Sequence, residues 1–292
     1  MKCSLCPRRC NSERTNNENL NGFCKMPLLP KVARAALHFW EEPCISGKNG
    51  SGTIFFSGCT LDCAFCQNYD ISHGGFGKSI TYQRLADIFK ELEEKGANNI
   101  NLVTPTHYVP AIIRALDIYK PRIPIVYNSG GYDTAEEIRS LKGYADIFLM
   151  DLKYLSGDRA ALYSGAPDYP EYATAAIREC YKAQPVCEFK DGIMQKGLIV
   201  RHLLLPQGTK EAIRVFDWVR NNTPHAFFSI MSQYTPCGKA LDMPVINRRV
   251  TRREYEKVLD YICNSSFENV YIQERESSDK KYIPPFDLEG VK

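Results

Sequence analysis

The stretch "GTIFFSGCTLDCAFCQN" (52–68) runs from an apolar segment straight into three cysteines. Residues 52–58 read as a strand, aromatic and β-branched between glycines. Cys59, Cys63 and Cys66 follow at Cys-x3-Cys-x2-Cys spacing, so they sit in the loop that leaves the strand. Three thiolates in one loop can converge on one centre, and thiolate is a soft ligand suited to iron–sulfur clusters and zinc. Closed sites of either kind take four ligands. A cubane [4Fe–4S] cluster on three thiolates keeps one iron open, much as a catalytic zinc site keeps one position open. The competing reading is a zinc knuckle with its fourth ligand elsewhere, His73 being the nearest candidate.

Beyond this loop the chain alternates. Residues 82–97 read as a helix, with Leu85, Ile88, Phe89 and Leu92 on one face. Strand-like runs at 99–103, 123–128, 145–152, 197–205 and 226–231 are interleaved with helical patterns at 109–119, 134–141, within 170–183, at 209–222 and at 251–263. Thr134 and Glu137 have capping-box spacing, and 269–273 reads as a last short strand. Six strand–helix units predict an α/β fold of parallel strands under right-handed crossovers. The pattern fits a doubly wound sheet or a full or partial (β/α) barrel, with chemistry at the C-terminal strand ends in either case. Residues 1–51 lack the rhythm and read as a small N-terminal Cys-rich metal-binding lobe. The core is then 52–275, and 276–292 is a C-terminal extension.

The chain has 292 residues and a net charge of +3, too small to argue for nucleic acid or an anionic membrane. No apolar run approaches the roughly 18 residues that span a bilayer, and "MKCSLCPRRC" has no apolar stretch of a secretory signal. The expected compartment is the cytoplasm, where clustered thiols are more often metal ligands than disulfides. Cys3, Cys6, Cys10 and Cys24 supply a complete set of four for one centre, zinc or a second cluster. Cys44, Cys180, Cys187, Cys237 and Cys263 are scattered and read as small buried hydrophobes.

Cys59-x3-Cys63-x2-Cys66, with the aromatic Phe65 before the third cysteine, resembles the signature of radical S-adenosylmethionine (SAM) enzymes. "CQN" (66–68) is similar to the Cys-x-Asn of activating enzymes of glycyl radical proteins, including the pyruvate formate-lyase activating enzyme. With "HFWEEPCISG" (38–47) and the N-terminal cysteines, the chain looks closest to uncharacterised iron–sulfur homologues of that enzyme. The resemblance implies a partial (β/α)6 TIM-type barrel, a [4Fe–4S] cluster and SAM. The open iron would chelate the amino and carboxylate groups of SAM. Reductive cleavage would yield a 5′-deoxyadenosyl radical that abstracts hydrogen from a protein, peptide or small molecule. A flavodoxin or ferredoxin-type donor and anaerobic chemistry are implied with it.

The same resemblance suggests cofactor contacts from Phe65 and Asn68 and from several strand ends. "TPTHY" (104–108) stands where the family usually has a Gly-Gly-Glu-type motif, with Thr106, beside Thr104 and His107, as the polar substitute. Asn128 and Ser129 of "YNSGG" resemble a Thr-Asn-Gly-type position and suit a ribose. Asp151 and Lys153 of "MDLKY" are charges at a strand end that need a partner or a function. Arg201 resembles an arginine that precedes Val-Val-Pro-Gly in the activating enzymes, and Gln233 and Tyr234 would face substrate. The extra ferredoxin-like clusters of many activating enzymes follow the three-cysteine loop, whereas here the extra cysteines precede it. The alternatives are a non-catalytic iron–sulfur electron carrier or metal-binding scaffold, and a zinc hydrolase.

Overall fold

The computed structural model describes residues 2–16, 21–273 and 284–292. In chain order its elements begin with β1 (Lys31–His38), α1 (Pro43–Ser46), β2 (Ser51–Phe56), α2 (Tyr69–Ser72), β3 (Lys78–Ser79), α3 (Tyr82–Glu94) and β4 (Ile100–Val103). There follow α4 (Val109–Ile118), β5 (Ile125–Ser129), α5 (Ala135–Ser140), β6 (Ile147–Asp151), α6 (Gly157–Ser164) and α7 (Tyr169–Ala183). The last are β7 (Glu188–Lys190), β8 (Ile193–Leu203), α8 (Thr209–Asn222), β9 (Phe227–Met231), α9 (Arg252–Cys263) and β10 (Val270–Ile272).

The strands join in the order β10-β9-β8-β6-β5-β4-β2-β1-β3. From β2 to β10 all neighbours are parallel, so six strand–helix units and a seventh strand build the expected α/β core. The path has two ends and the sheet does not close, which makes it a partial barrel. Leu85, Ile88, Phe89 and Leu92 are buried on the face of α3 turned to the sheet. Thr134 caps α5 by accepting from the Glu137 N–H.

β1 lies in the stretch read from the sequence as part of the lobe, yet it pairs antiparallel with β2. Its "KVARAALH" mixes alanine with charge and has little strand propensity of its own; tertiary pairing makes the strand. Described residues of the C-terminal extension run along it, with Leu288 N–H donating to Ala33 O and Ala35 N–H to Glu289 O. The boundary expected at 275/276 lies outside the described residues. α6 and β7 are among the other elements that were not expected. α6 is two turns long, too short for a periodic signal, though Ser156 caps its start and Gly165 ends it in the left-handed conformation. β7 folds back on an early extension of β8 as a short hairpin.

Register sets what faces the concave side of the sheet. Thr53 pairs with Asn101, Asn101 with Val126, and Asp151 with Arg201, so these side chains share one face. α1 closes the floor of this lumen: Cys44 and Ile45 pack with Val126, Ile147, Leu149 and Ile199. Asn99 Nδ2 donates to Ile45 O at 2.8 Å and Asn98 Nδ2 to Ser46 O at 2.6 Å, fixing the plug to the start of β4. Burial of Ile45 alone contributes about 1.5–3 kcal/mol of transfer free energy. Among the described residues no helix is long and apolar enough to cross a membrane.

Candidate active site

β2 ends at Phe56, and the cysteine loop leaves from the C-terminal edge of the parallel sheet. Backbone bonds brace it on three sides. Asp62 and Ala64 N–H groups donate to Ser164 O and Tyr163 O of α6, Gly58 N–H donates to Ile71 O, and Ala240 N–H donates to Ala64 O. Each thiol also has a polar neighbour. Leu61 N–H donates to Cys59 Sγ (3.4 Å), Cys63 Sγ lies 3.1 Å from Ser164 Oγ, and Cys66 Sγ lies 3.3 Å from Ser72 Oγ. His73 has Nδ1 on Ser72 Oγ (2.8 Å) and Nε2 facing Asp62 (3.3 Å), so its ring nitrogens are turned to these groups rather than to a thiol.

Burial, and then the other two thiols, push the Cys59 thiol far above its ordinary range. Burial likewise pushes Cys63 up to about 11, against the pull of the Lys153 ammonium, and burial raises Cys66. Three half-buried thiols that would repel one another as thiolates gain from cationic iron, which deprotonates its ligands. Among the described residues no three His, Cys, Asp or Glu side chains converge as ligands of a single ion. A cubane does not require that, because each thiolate binds a different iron. The donor set therefore fits a cluster.

The rim residues form two groups. In the first, Lys153 Nζ lies 2.6 Å from Asp151 Oδ2, and Arg201 donates to Asp151 Oδ1 (2.9 Å), Asn128 Oδ1 (2.7 Å) and Glu41 (3.2 Å). Burial alone would push the Asp151 carboxyl up, but Arg201 and Lys153 outweigh it and hold it below the usual range. Arg201 is thus occupied within the protein on three of its nitrogens. In the second group, Ser129 Oγ and Tyr127 OH donate to the buried Asp133 carboxyl, and Thr106 Oγ1 lies 3.3 Å from Ser129 Oγ. Gly131, at φ +86°, lets the chain turn here; a Cβ would stand 2.1 Å from Asp151 O. Tyr169 OH accepts from Lys153 N–H at 3.0 Å and lies 2.8 Å from Asp151 O, locking the same strand end.

Five of the expected site residues have partners within the protein. His107 is buried, and its Nε2 meets Ser57 O at 2.7 Å, a structural tie under the loop. Phe65 packs edge-to-face on Tyr234, whose OH donates to Ile246 O. Gln233 accepts from Gln273 Nε2 at 2.9 Å. Asn68 stands at the start of α2, and its backbone N–H donates to Cys66. Glu41, Glu42 and Cys237 carried no site signal of their own in the sequence. The glutamates enter the lumen with the floor plug, while Cys237 Sγ lies 3.3 Å from Phe65 O and near Cys66.

The N-terminal cysteines share one turn-rich region. Asn11 N–H donates to Cys3 O and Arg9 N–H to Cys6 O, with positive φ at Arg9, Asn11 and Lys25. Burial pushes Cys6 up to about 12, and Cys24, Cys3 and Cys10 each add to it, which reports four neighbouring thiols. Two arginines join this region to the cysteine loop. Arg8 donates to Thr60 O (2.9 Å) and Gly165 O (2.7 Å), and buried Arg14 donates to Met26 O (3.0 Å) and His107 O (2.9 Å).

A parallel partial barrel with three thiols at the first strand end is the arrangement of a known class. The model of the Radical SAM superfamily matches residues 53–195. An uncharacterised protein of Methanocaldococcus jannaschii, MJ0674, is 31% identical over 279 residues, covering 92% of this chain and 76% of its own length. Streptococcus suis SuiB, solved with SAM, superposes at a TM-score of 0.54 with 14% identity, over 74% of this chain and 48% of SuiB. SuiB solved with its precursor peptide SuiA gives 0.53, 14%, 74% and 47%. The chain thus spans about half the length of SuiB. It belongs to the radical SAM superfamily, whose membership implies a [4Fe–4S] cluster and SAM.

Proposed function

We propose that this radical SAM enzyme holds its cluster on Cys59, Cys63 and Cys66 and uses the 5′-deoxyadenosyl radical to take hydrogen from a substrate. The observation that carries the reading is the grouping of three half-buried, electrostatically coupled thiols in the loop at the C-terminal end of β2. When bound, the cluster and SAM supply reductive cleavage of the sulfonium C–S bond; positioning and exclusion of water fall to the protein. Lys153 sits close enough to Cys63 to ease its ionisation and is anchored by Asp151. Thr106, Asn128 and Ser129 are held as donors and acceptors on the rim, suited to the amino and ribose groups of SAM. Arg201 acts by fixing Asp151 and Asn128 rather than through a free donor fork. Phe65 and Asn68 shape the loop around Cys66.

The N-terminal lobe, without the strand β1 that joins the sheet, would hold zinc or a second cluster on Cys3, Cys6, Cys10 and Cys24, neighbouring thiols that do not already stand as ligands of one ion, with the barrel as the catalytic unit and the C-terminal extension as its cover. A flavodoxin or ferredoxin-type protein would deliver the electron, in the cytoplasm. For the substrate, the likeness to peptide-bound SuiB supports a peptide, and the Cys-x-Asn at 66–68 supports a glycyl radical protein. Anaerobic reconstitution, reduction and assay for 5′-deoxyadenosine tests the reaction. Product is expected from the wild type and none from Cys66→Ala, whose N-terminal metal content stays at the wild-type level. An iron-loaded wild type that binds no SAM and forms no 5′-deoxyadenosine sinks the proposal.

A further inference from the structure

We propose that the floor of the barrel lumen receives an organic cation, an ammonium or guanidinium group carried by the substrate. The inference rests on the reading above only in calling that molecule the substrate. Five charged side chains meet here in a line: Lys153 on Asp151 (2.6 Å), Asp151 on Arg201 (2.9 Å), and Arg201 facing Glu41 (3.2 Å) and Glu42 (3.9 Å). Three carboxylates stand against two cations, so one negative charge is left over. Each of the five side chains keeps 8–18% of its surface exposed. The apolar floor formed with Ile45 closes the other end. Entry is therefore from the side of the cysteine loop.

A second observation is independent of charge. Asn101 is fully buried on the lumen face with its amide N–H side toward Glu41, and its Oδ1 has no hydrogen-bond partner. Glu42 Oε2 also makes no hydrogen bond. Buried polar groups are paired in the great majority of cases, and an unpaired amide oxygen beside a carboxylate that holds Arg201 only at 3.9 Å is an acceptor set for an N–H cation. Burial pushes both glutamate carboxyls up despite Arg201, so a further cation beside them is favourable. A divalent metal fits less well, since no three carboxylates here converge as ligands.

The test uses the full-length, metal-loaded protein without SAM, so that its outcome is separate from that of SAM cleavage. Melting temperature is followed against propylammonium chloride, methylguanidinium chloride and a pentapeptide with one central lysine, with sodium chloride at matched ionic strength as control. We expect a saturable rise with at least one cation and about a tenfold weaker response in Glu42→Gln. A response to propylammonium assigns a small amine; a response to the peptide alone assigns a peptide-borne side chain. If Glu42→Gln does not fold, Glu41→Gln and Asn101→Leu take its place. No saturable shift in the wild type, or an unweakened response in the folded variants, overturns the inference.

Discussion

His107 shows how one residue ties acid stability to the cysteine loop. Burial, with Arg14 assisting, pulls its imidazole down to about 3, against an ordinary value of 6.5. The neutral ring donates Nε2–H to Ser57 O at the root of the loop. In the unfolded chain the ring protonates below pH 6.5, while in the folded chain it stays neutral until about 3. Its contribution is therefore fully present above pH 6.5 and is lost as pH falls toward 3, by about 1.4 kcal/mol per pH unit. Urea unfolding of wild type and His107→Gln from pH 7 to pH 5 checks this: the wild-type slope exceeds that of the variant by about one proton. The imidazole itself was visible in "TPTHY"; its duty was not, because the partner carbonyl lies 50 residues away. Arg201 is the same case. A cation interrupting an apolar strand signals a role, but the occupancy of its nitrogens by Asp151, Asn128 and Glu41 belongs to the folded chain alone.

At the scale of elements, local pattern carried most of the fold. α8 was read at its observed bounds because Ile213, Phe216 and Val219 repeat at helical spacing. The parallel strands were legible because burial on both faces makes them continuous apolar runs. β1 and the floor plug were not, since both exist through pairing with parts of the chain that local pattern does not specify. The turn after β5 is the element most sensitive to a single atom. Gly131→Ala adds a methyl against Asp151 O at a φ of +86°. The substitution is expected to destabilise by about 1–3 kcal/mol and to weaken SAM binding by displacing Asp151. Denaturant unfolding and SAM titration of the reconstituted protein measure the two effects; a variant that matches the wild type in both refutes the account of this turn.

For the whole molecule, the N-terminal region is tied directly to the cysteine loop. Arg8 spans from it to both the cysteine loop and the end of α6, and Met26 packs against Gly58, where a Cβ would stand 2.2 Å from its Cγ. Arg8→Met removes both charge-assisted bonds. We expect the melting temperature to fall by about 2–4 °C and amide exchange to rise across residues 58–66. Unchanged exchange there shows that the lobe is held by other contacts.

The clamp also has a consequence for assembly. Gly165, which Arg8 binds, lies 157 residues further along the chain, and His107, which Arg14 binds, lies 93 residues further on. The four lobe cysteines thus leave the ribosome well before the surface that holds them exists. Contacts of such separation carry a loop-closure cost that local contacts do not, so these thiols emerge on an undocked segment. Docking of the lobe then becomes the step that reports completion of the barrel through α6.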